Sequence, residues 1–171
     1  CGGMHRLYGL ATARKRRFDE GKAMTGAWAD CDARIKECLA KIQEYQSPDG
    51  CFSVNYISRS GTSVDLPNAM HCSGHTLEFV IRASTDEEIK APWIGRAVDN
   101  MCDLFQLTER LNLECGALYH AAHGLFLYRQ RLYGPRTYRS SGVTDKTNQT
   151  TDANDPPSWT ATPTDSSVKA S

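Results

Sequence analysis

Several features are missing from this chain, and each absence removes a class of function. It has no excess charge of either sign, because 20 lysines and arginines offset 20 aspartates and glutamates. No field of one sign would therefore gather nucleic acid or an anionic membrane around it. It has no run approaching the roughly 20 apolar residues that cross a bilayer, and its mean hydropathy is -0.51, so no transmembrane segment is expected. There is no tight C-x-x-C or H-E-x-x-H pair of the kind that marks a compact metal site. The chain also starts without an initiator methionine or a signal peptide. A start at Cys1, Gly2, Gly3 would suit a lipid-modified chain, but the repeat described below favours a fragment of a longer protein.

What is present begins with seven cysteines, an odd number spread along the helical region. Cys31, Cys38 and Cys102 fall beside Ile35, Leu39 and Met101, where reduced cysteines act as small hydrophobes, so no disulfide framework is expected. The basic run Arg14, Lys15, Arg16, Arg17 suits the end of a helix and a solvated face.

Apolar spacing predicts helices. From Gly26 to Gln46, Trp28, Cys31, Ile35, Cys38, Leu39, Ile42 and Tyr45 recur at steps of three and four, an amphipathic pattern. A capping box at Ser84, Thr85, Asp86, Glu87 is expected to open a second such helix that runs to about Leu107. Three further segments, Met4 to Arg17, Ser73 to Ala83 and Cys115 to Leu132, are rich in Gly, Ala and Leu, as suits helices packed on several sides. The expected order is inner, outer, inner, outer, inner, within a helical domain over residues 1–139. Residues 47–66 form the longest connection, opened by the turn former Ser47, Pro48, Asp49, Gly50. Residues 140–171 are polar, with almost no apolar side chains, and are expected to be a disordered tail. A glycosylation sequon lies there at Asn148, Gln149, Thr150.

Each expected inner helix opens on a similar tripeptide: Cys1, Gly2, Gly3; Cys72, Ser73, Gly74; and Cys115, Gly116, Ala117. Histidines follow each one. The stretch from Gln46 through Gly50 to Phe52 resembles the Q-x-x-x-G-x-W repeat motif of terpenoid cyclases and protein prenyltransferases, with phenylalanine in place of tryptophan. The small residues opening the inner helices, and the run Gly74, His75, Thr76, Leu77, Glu78, resemble the repeats of the same superfamily. The resemblance covers residues 1 to about 133. It implies an all-α fold of antiparallel hairpins forming a partial (α/α) toroid, with the remainder of a longer chain or another subunit completing the ring. It also implies that Gln46 ties an outer helix to the next inner one while Phe52 stacks across the turn. The acid motif Asp-x-Asp-Asp, the Asp-Asp-x-x-Asp metal site and the Gly-Cys-Gly-Glu-Gln thioester motif of related toroids are all absent, so no catalytic residue is carried over.

If the inner helices run parallel, their starts share one end. The histidines His5, His71, His75, His120 and His123 would then converge there, together with Cys1, Cys72 and Cys115. One reading is a polar or carbohydrate-like substrate bound by His5, His75, Tyr119, His120 and His123 with Tyr8, a carboxylate of Glu78 or Glu114 working with a histidine as acid and base. No cofactor is required by this reading. A second makes the segment a noncatalytic structural or interaction module, its histidines capping helices. A third is a zinc enzyme with Cys115, His120 and His75 as ligands. The pairing of Cys115 with Tyr119 and His120 resembles the Asp, Cys, His zinc site of prenyltransferases, although no aspartate stands at a matching position. The stretch Tyr128, Arg129, Arg131, Tyr133, Arg136, Tyr138, Arg139 reads as a helix end and surface cover.

Overall fold

A computed structural model describes residues 2–135. Among them the regular elements are all helical: α1 Met4–Asp19, α2 Ala27–Glu44, α3 Leu66–Ala83, α4 Pro92–Leu107 and α5 Cys115–Tyr133, with a 3-10 turn at Glu88–Lys90. The tail expected over 140–171, its sequon, Cys1 and the end of the basic aromatic stretch lie outside the described residues.

Helix α2 follows its pattern, with Cys31, Ile35, Cys38 and Ile42 buried along one face. Two other elements depart from expectation, and both departures trace to proline chemistry. Helix α3 begins at Leu66 rather than Ser73, about two turns early. The carboxylate of Asp65 accepts from the Asn68 backbone N–H at 3.2 Å, and Pro67 occupies the first turn, where its missing N–H costs nothing. Cys72, Ser73 and Gly74 thus lie inside α3 and do not open it. Helix α4 starts at Pro92 and not at the predicted capping box. The box exists one residue later, between Thr85 and Glu88, where the Thr85 N–H donates to the Glu88 carboxylate at 2.7 Å and the Glu88 N–H donates to Thr85 Oγ1 at 3.2 Å. It caps only the 3-10 turn, because the residue before a proline is pushed to extended backbone, and Ala91 at ψ 138 ends that turn.

Helix α3 is the centre of the fold. It packs on α1 and α5 to either side and against α2 and α4, and it is buried from Ala69 to Ala83 apart from His71 and Arg82. Helices α3 and α5 approach closely at Gly74, where a methyl group would sit 2.7 Å from the Ala121 backbone nitrogen. Arginines join the far ends. Arg14 donates to Asp32 at 2.8 Å and to the Ala83 carbonyl at 2.5 Å, so the first residue of the basic run is a tie between elements and not a solvated charge. Arg131 donates to the carbonyls of Ile81 at 2.5 Å and Ser84 at 2.7 Å and pairs with Asp86. Together with ring contacts near the other ends of the helices, these ties make α1, α3 and α5 a parallel row, with α2 and α4 laid against it.

Gln46 is used as an inter-element clasp, but on a different partner from the one implied. Its amide nitrogen donates to the Gly50 carbonyl at 3.0 Å and to the Trp93 carbonyl at 2.9 Å. The tie therefore runs from the end of α2 to the first turn of α4. Phe52 is buried and meets Trp93 edge-on at 6.3 Å. Gly50 adopts φ 91, and a Cβ there would collide with the Arg96 carbonyl, so a side chain is excluded twice over.

Candidate functional site

The polar residues of the site are spaced by helix geometry. On α3, His71, His75, Glu78 and Arg82 fall at steps of four, three and four, one stripe along the helix. On α1, His5 and Tyr8 share a face, and on α5, His120 and His123 do. Because the three helices run parallel and adjacent, these short stripes meet. His71 and His75 sit in the second and third turns of α3 and not at its start. His75 still meets His5 and His120, and His71 meets His75.

The rings form one continuous cluster. His75 meets His120 edge-on at 3.8 Å, His5 at 4.6 Å and His71 at 4.6 Å, and His5 lies 5.1 Å from His120. Tyr119 stacks on His123 at 5.5 Å with planes 19° apart. Tyr8 lies 6.4 Å from His123, and its hydroxyl accepts from Arg82 at 3.3 Å.

Glu78 organises the α5 side. Its side chain is 7 % exposed, and its two carboxylate oxygens lie 2.8 Å from His120 Nδ1 and 2.6 Å from His123 Nδ1. A carboxylate only accepts, so both rings present Nδ1–H to it and direct Nε2 away from the carboxylate. A charge this deep is tolerable because it has two charge-assisted bonds.

His75 is the opposite case. It is 3 % exposed, and among the described residues its Nδ1 is buried without a hydrogen-bond partner, a condition that costs about 1–3 kcal/mol. Burial, followed by the neighbouring His120, His71 and His5, drives its pKa down from 6.5 to about 3, so the ring is neutral at physiological pH. Burial also lowers His71, opposed by the favourable field of Glu114.

The predicted site residues divide accordingly. His5, His75, His120, His123, Glu78 and Tyr119 come together. Glu114 does not take the carboxylate role; it is exposed at the N-cap of α5. Cys115 is exposed, and the described group within reach of one metal ion is His5, His75 and His120, their ligand atoms all within 4.8 Å of one another. Of the zinc set read from the sequence, Cys115, His120 and His75, the two histidines belong to this group and Cys115 does not. Cys72 is buried and turned to the Val54 carbonyl and Asn68. Arg82 is not among the site residues that the sequence points to. Its signal was the four-three-four stripe, visible only to a reading that starts α3 at Leu66. A cavity of about 430 Å³ lies elsewhere, lined by Arg14, Asp32, Arg82, Asp86 and Arg131 among others, and none of the predicted site residues lines it.

No protein-family model, no curated protein and no solved structure matches this chain.

Proposed function

We propose that the histidine face binds and processes a polar, carbohydrate-like substrate, as the ligand-facing part of an (α/α) toroid. The observation that carries the reading is the buried Glu78 carboxylate holding His120 and His123 by Nδ1. Such a pair fixes the tautomer, leaves Nε2 as a base, and stabilises the ring cation that forms when a substrate hydroxyl gives up its proton. Beside His123, Tyr119 is 58 % exposed and offers an aromatic face against which the apolar side of a sugar ring can rest. Support for the toroid comes from the parallel row of α1, α3 and α5 with α2 and α4 outside it. Leu10 and Phe18 on α1, and Phe126 and Tyr133 on α5, are exposed, which suits flanks on which further hairpins or another subunit would pack.

The test is a titration of the full chain with a panel of neutral mono- and oligosaccharides, followed by the side-chain nitrogen resonances of the histidines. Binding should move His123 most, and Tyr119→Ala and His123→Ala should each weaken it by about tenfold or more, the weight of one stacking or charged contact. A panel that leaves every ring resonance unmoved overturns the proposal.

The second reading, a noncatalytic structural or interaction module, draws on the edge-on packing of His75 against His120 at 3.8 Å, which also joins α3 to α5. It gains if Glu78→Gln lowers stability while no member of the panel binds.

A further inference from the structure

We infer that His5, His75 and His120 form a metal site for a divalent ion that favours imidazole, zinc first among them, with Glu78 as the positioning residue behind His120. The inference rests on the reading that this is the ligand face, and it names the ion that the face would hold.

Three observations carry it. First, one ligand atom from each of the three rings lies within 4.8 Å of the others, and each ring comes from a different helix, α1, α3 or α5. Zinc–nitrogen bonds of about 2.0–2.1 Å set tetrahedral edges of about 3.3 Å. The nitrogens therefore need to close by no more than about 1.5 Å, which ring rotation on a fixed backbone can supply. Second, His75 is 3 % exposed and its Nδ1 has no partner among the described residues. A neutral buried imidazole with an unused nitrogen in the middle of a ring cluster is a poor structural element and a good ligand. Third, the Glu78 carboxylate bonds His120 Nδ1 at 2.8 Å, leaving Nε2 for coordination. A carboxylate behind a histidine is the usual outer support of a metal ligand, since it fixes the tautomer and raises the basicity of the other nitrogen.

The site is graded from inside to outside. His75 closes the inner side, His120 is half-buried, and His5 is exposed. Three protein ligands with solvent on one side leave a fourth position for water or a substrate oxygen, the arrangement of catalytic and not of closed structural zinc sites. His123 hangs from the second Glu78 oxygen at 2.6 Å, next to the site and outside the ligand group. Three imidazoles suit zinc, copper, nickel and cobalt, and disfavour magnesium and calcium, which take oxygen ligands.

The experiment uses the full chain stripped with a chelator, then titrated with zinc alone by calorimetry and with cobalt alone by visible absorption. One equivalent of zinc should bind, and cobalt should give the intense bands of a four-coordinate site. His75→Ala and His120→Ala should abolish stoichiometric binding, and so should His5→Ala, whose exposed side chain can be removed without loss of the fold. Glu78→Gln should weaken binding by about 10- to 100-fold, while Cys115→Ala and His123→Ala should retain the equivalent. Failure of stripped wild-type chain to bind zinc overturns the site, as does binding that survives His5→Ala. Saccharide binding by the metal-free chain would then leave the ligand-face reading standing. A zinc equivalent with no saccharide response would remove the sugar reading and keep the metal site.

Discussion

A single imidazole, His75, sets a pH response for the whole fold. Its pKa in the folded chain is about 3 against 6.5 ordinarily, so the unfolded chain binds the proton more readily. The stability tied to this depressed pKa is complete above about pH 6.5 and is lost progressively as pH falls toward 3, by at most about 1.4 kcal/mol per pH unit. The groups facing it, His5, His71 and His120, repel the incoming charge in the same direction. Urea unfolding of the metal-free chain at pH 7 and pH 5 should show the loss, and His75→Gln should flatten the slope. An equal slope in that variant would assign the response to other groups. The sequence points to these histidines by type and by their rough position in the helices. Their pairing is not legible in it. Which carboxylate met the histidines depended on α3 and α5 meeting at Gly74, and nothing near Glu78 or Glu114 in the chain distinguishes them.

At the scale of elements, two contacts decide how helices meet. Gly74 lets α3 lie against the α5 backbone, with room for no methyl group at 2.7 Å from Ala121 N. Gly74→Ala should therefore cost about 1–3 kcal/mol through forced displacement, even though alanine is the better helix former. Gln46→Ala removes donors to Gly50 and Trp93 and should cost about 1–3 kcal/mol. Thermal melts of the two variants measure both losses, and an unchanged Gly74→Ala would show that the helices can separate freely. The starts of α3 and α4 escaped the sequence pattern for one reason. Each is set by proline and the residue before it, at Asp65, Leu66, Pro67 and at Ala91, Pro92, whereas the pattern followed apolar spacing and a box of similar composition one residue away.

Across the whole molecule, protection should fall outward from α3. That helix is covered on both sides and from outside, so among the described residues its amides should exchange last, and those of the mostly exposed stretch over residues 59–64 first. Thiol labelling offers a second measure. Cys31, Cys38, Cys51 and Cys72 are buried and Cys102 and Cys115 exposed, and burial raises the Cys51 thiol pKa well above its usual value, which withholds the reactive thiolate. Among these six, native protein treated with iodoacetamide should carry label at Cys102 and Cys115 and gain the other four only on unfolding, as read by mass spectrometry. Early labelling of Cys51 would mean that the Gln46 to Phe52 turn opens locally. The apolar spacing places Cys102 on a buried face beside Met101. It lies instead on the helix side away from Met101 and Leu104, where α4 meets solvent.

The division between chain and fold follows the range of the forces involved. Helix type, the apolar face of α2 and the limits of α5 depend on neighbours three or four residues apart, so they are written locally. The meeting of His5, His75 and His120, the choice of Glu78 over Glu114, the partial burial of Arg14 and the exposure of Cys102 depend on residues far apart in the chain. Those were decided only when α1, α3 and α5 packed side by side, because only close packing brings such distant polar groups within bonding distance and removes the water that would otherwise satisfy them.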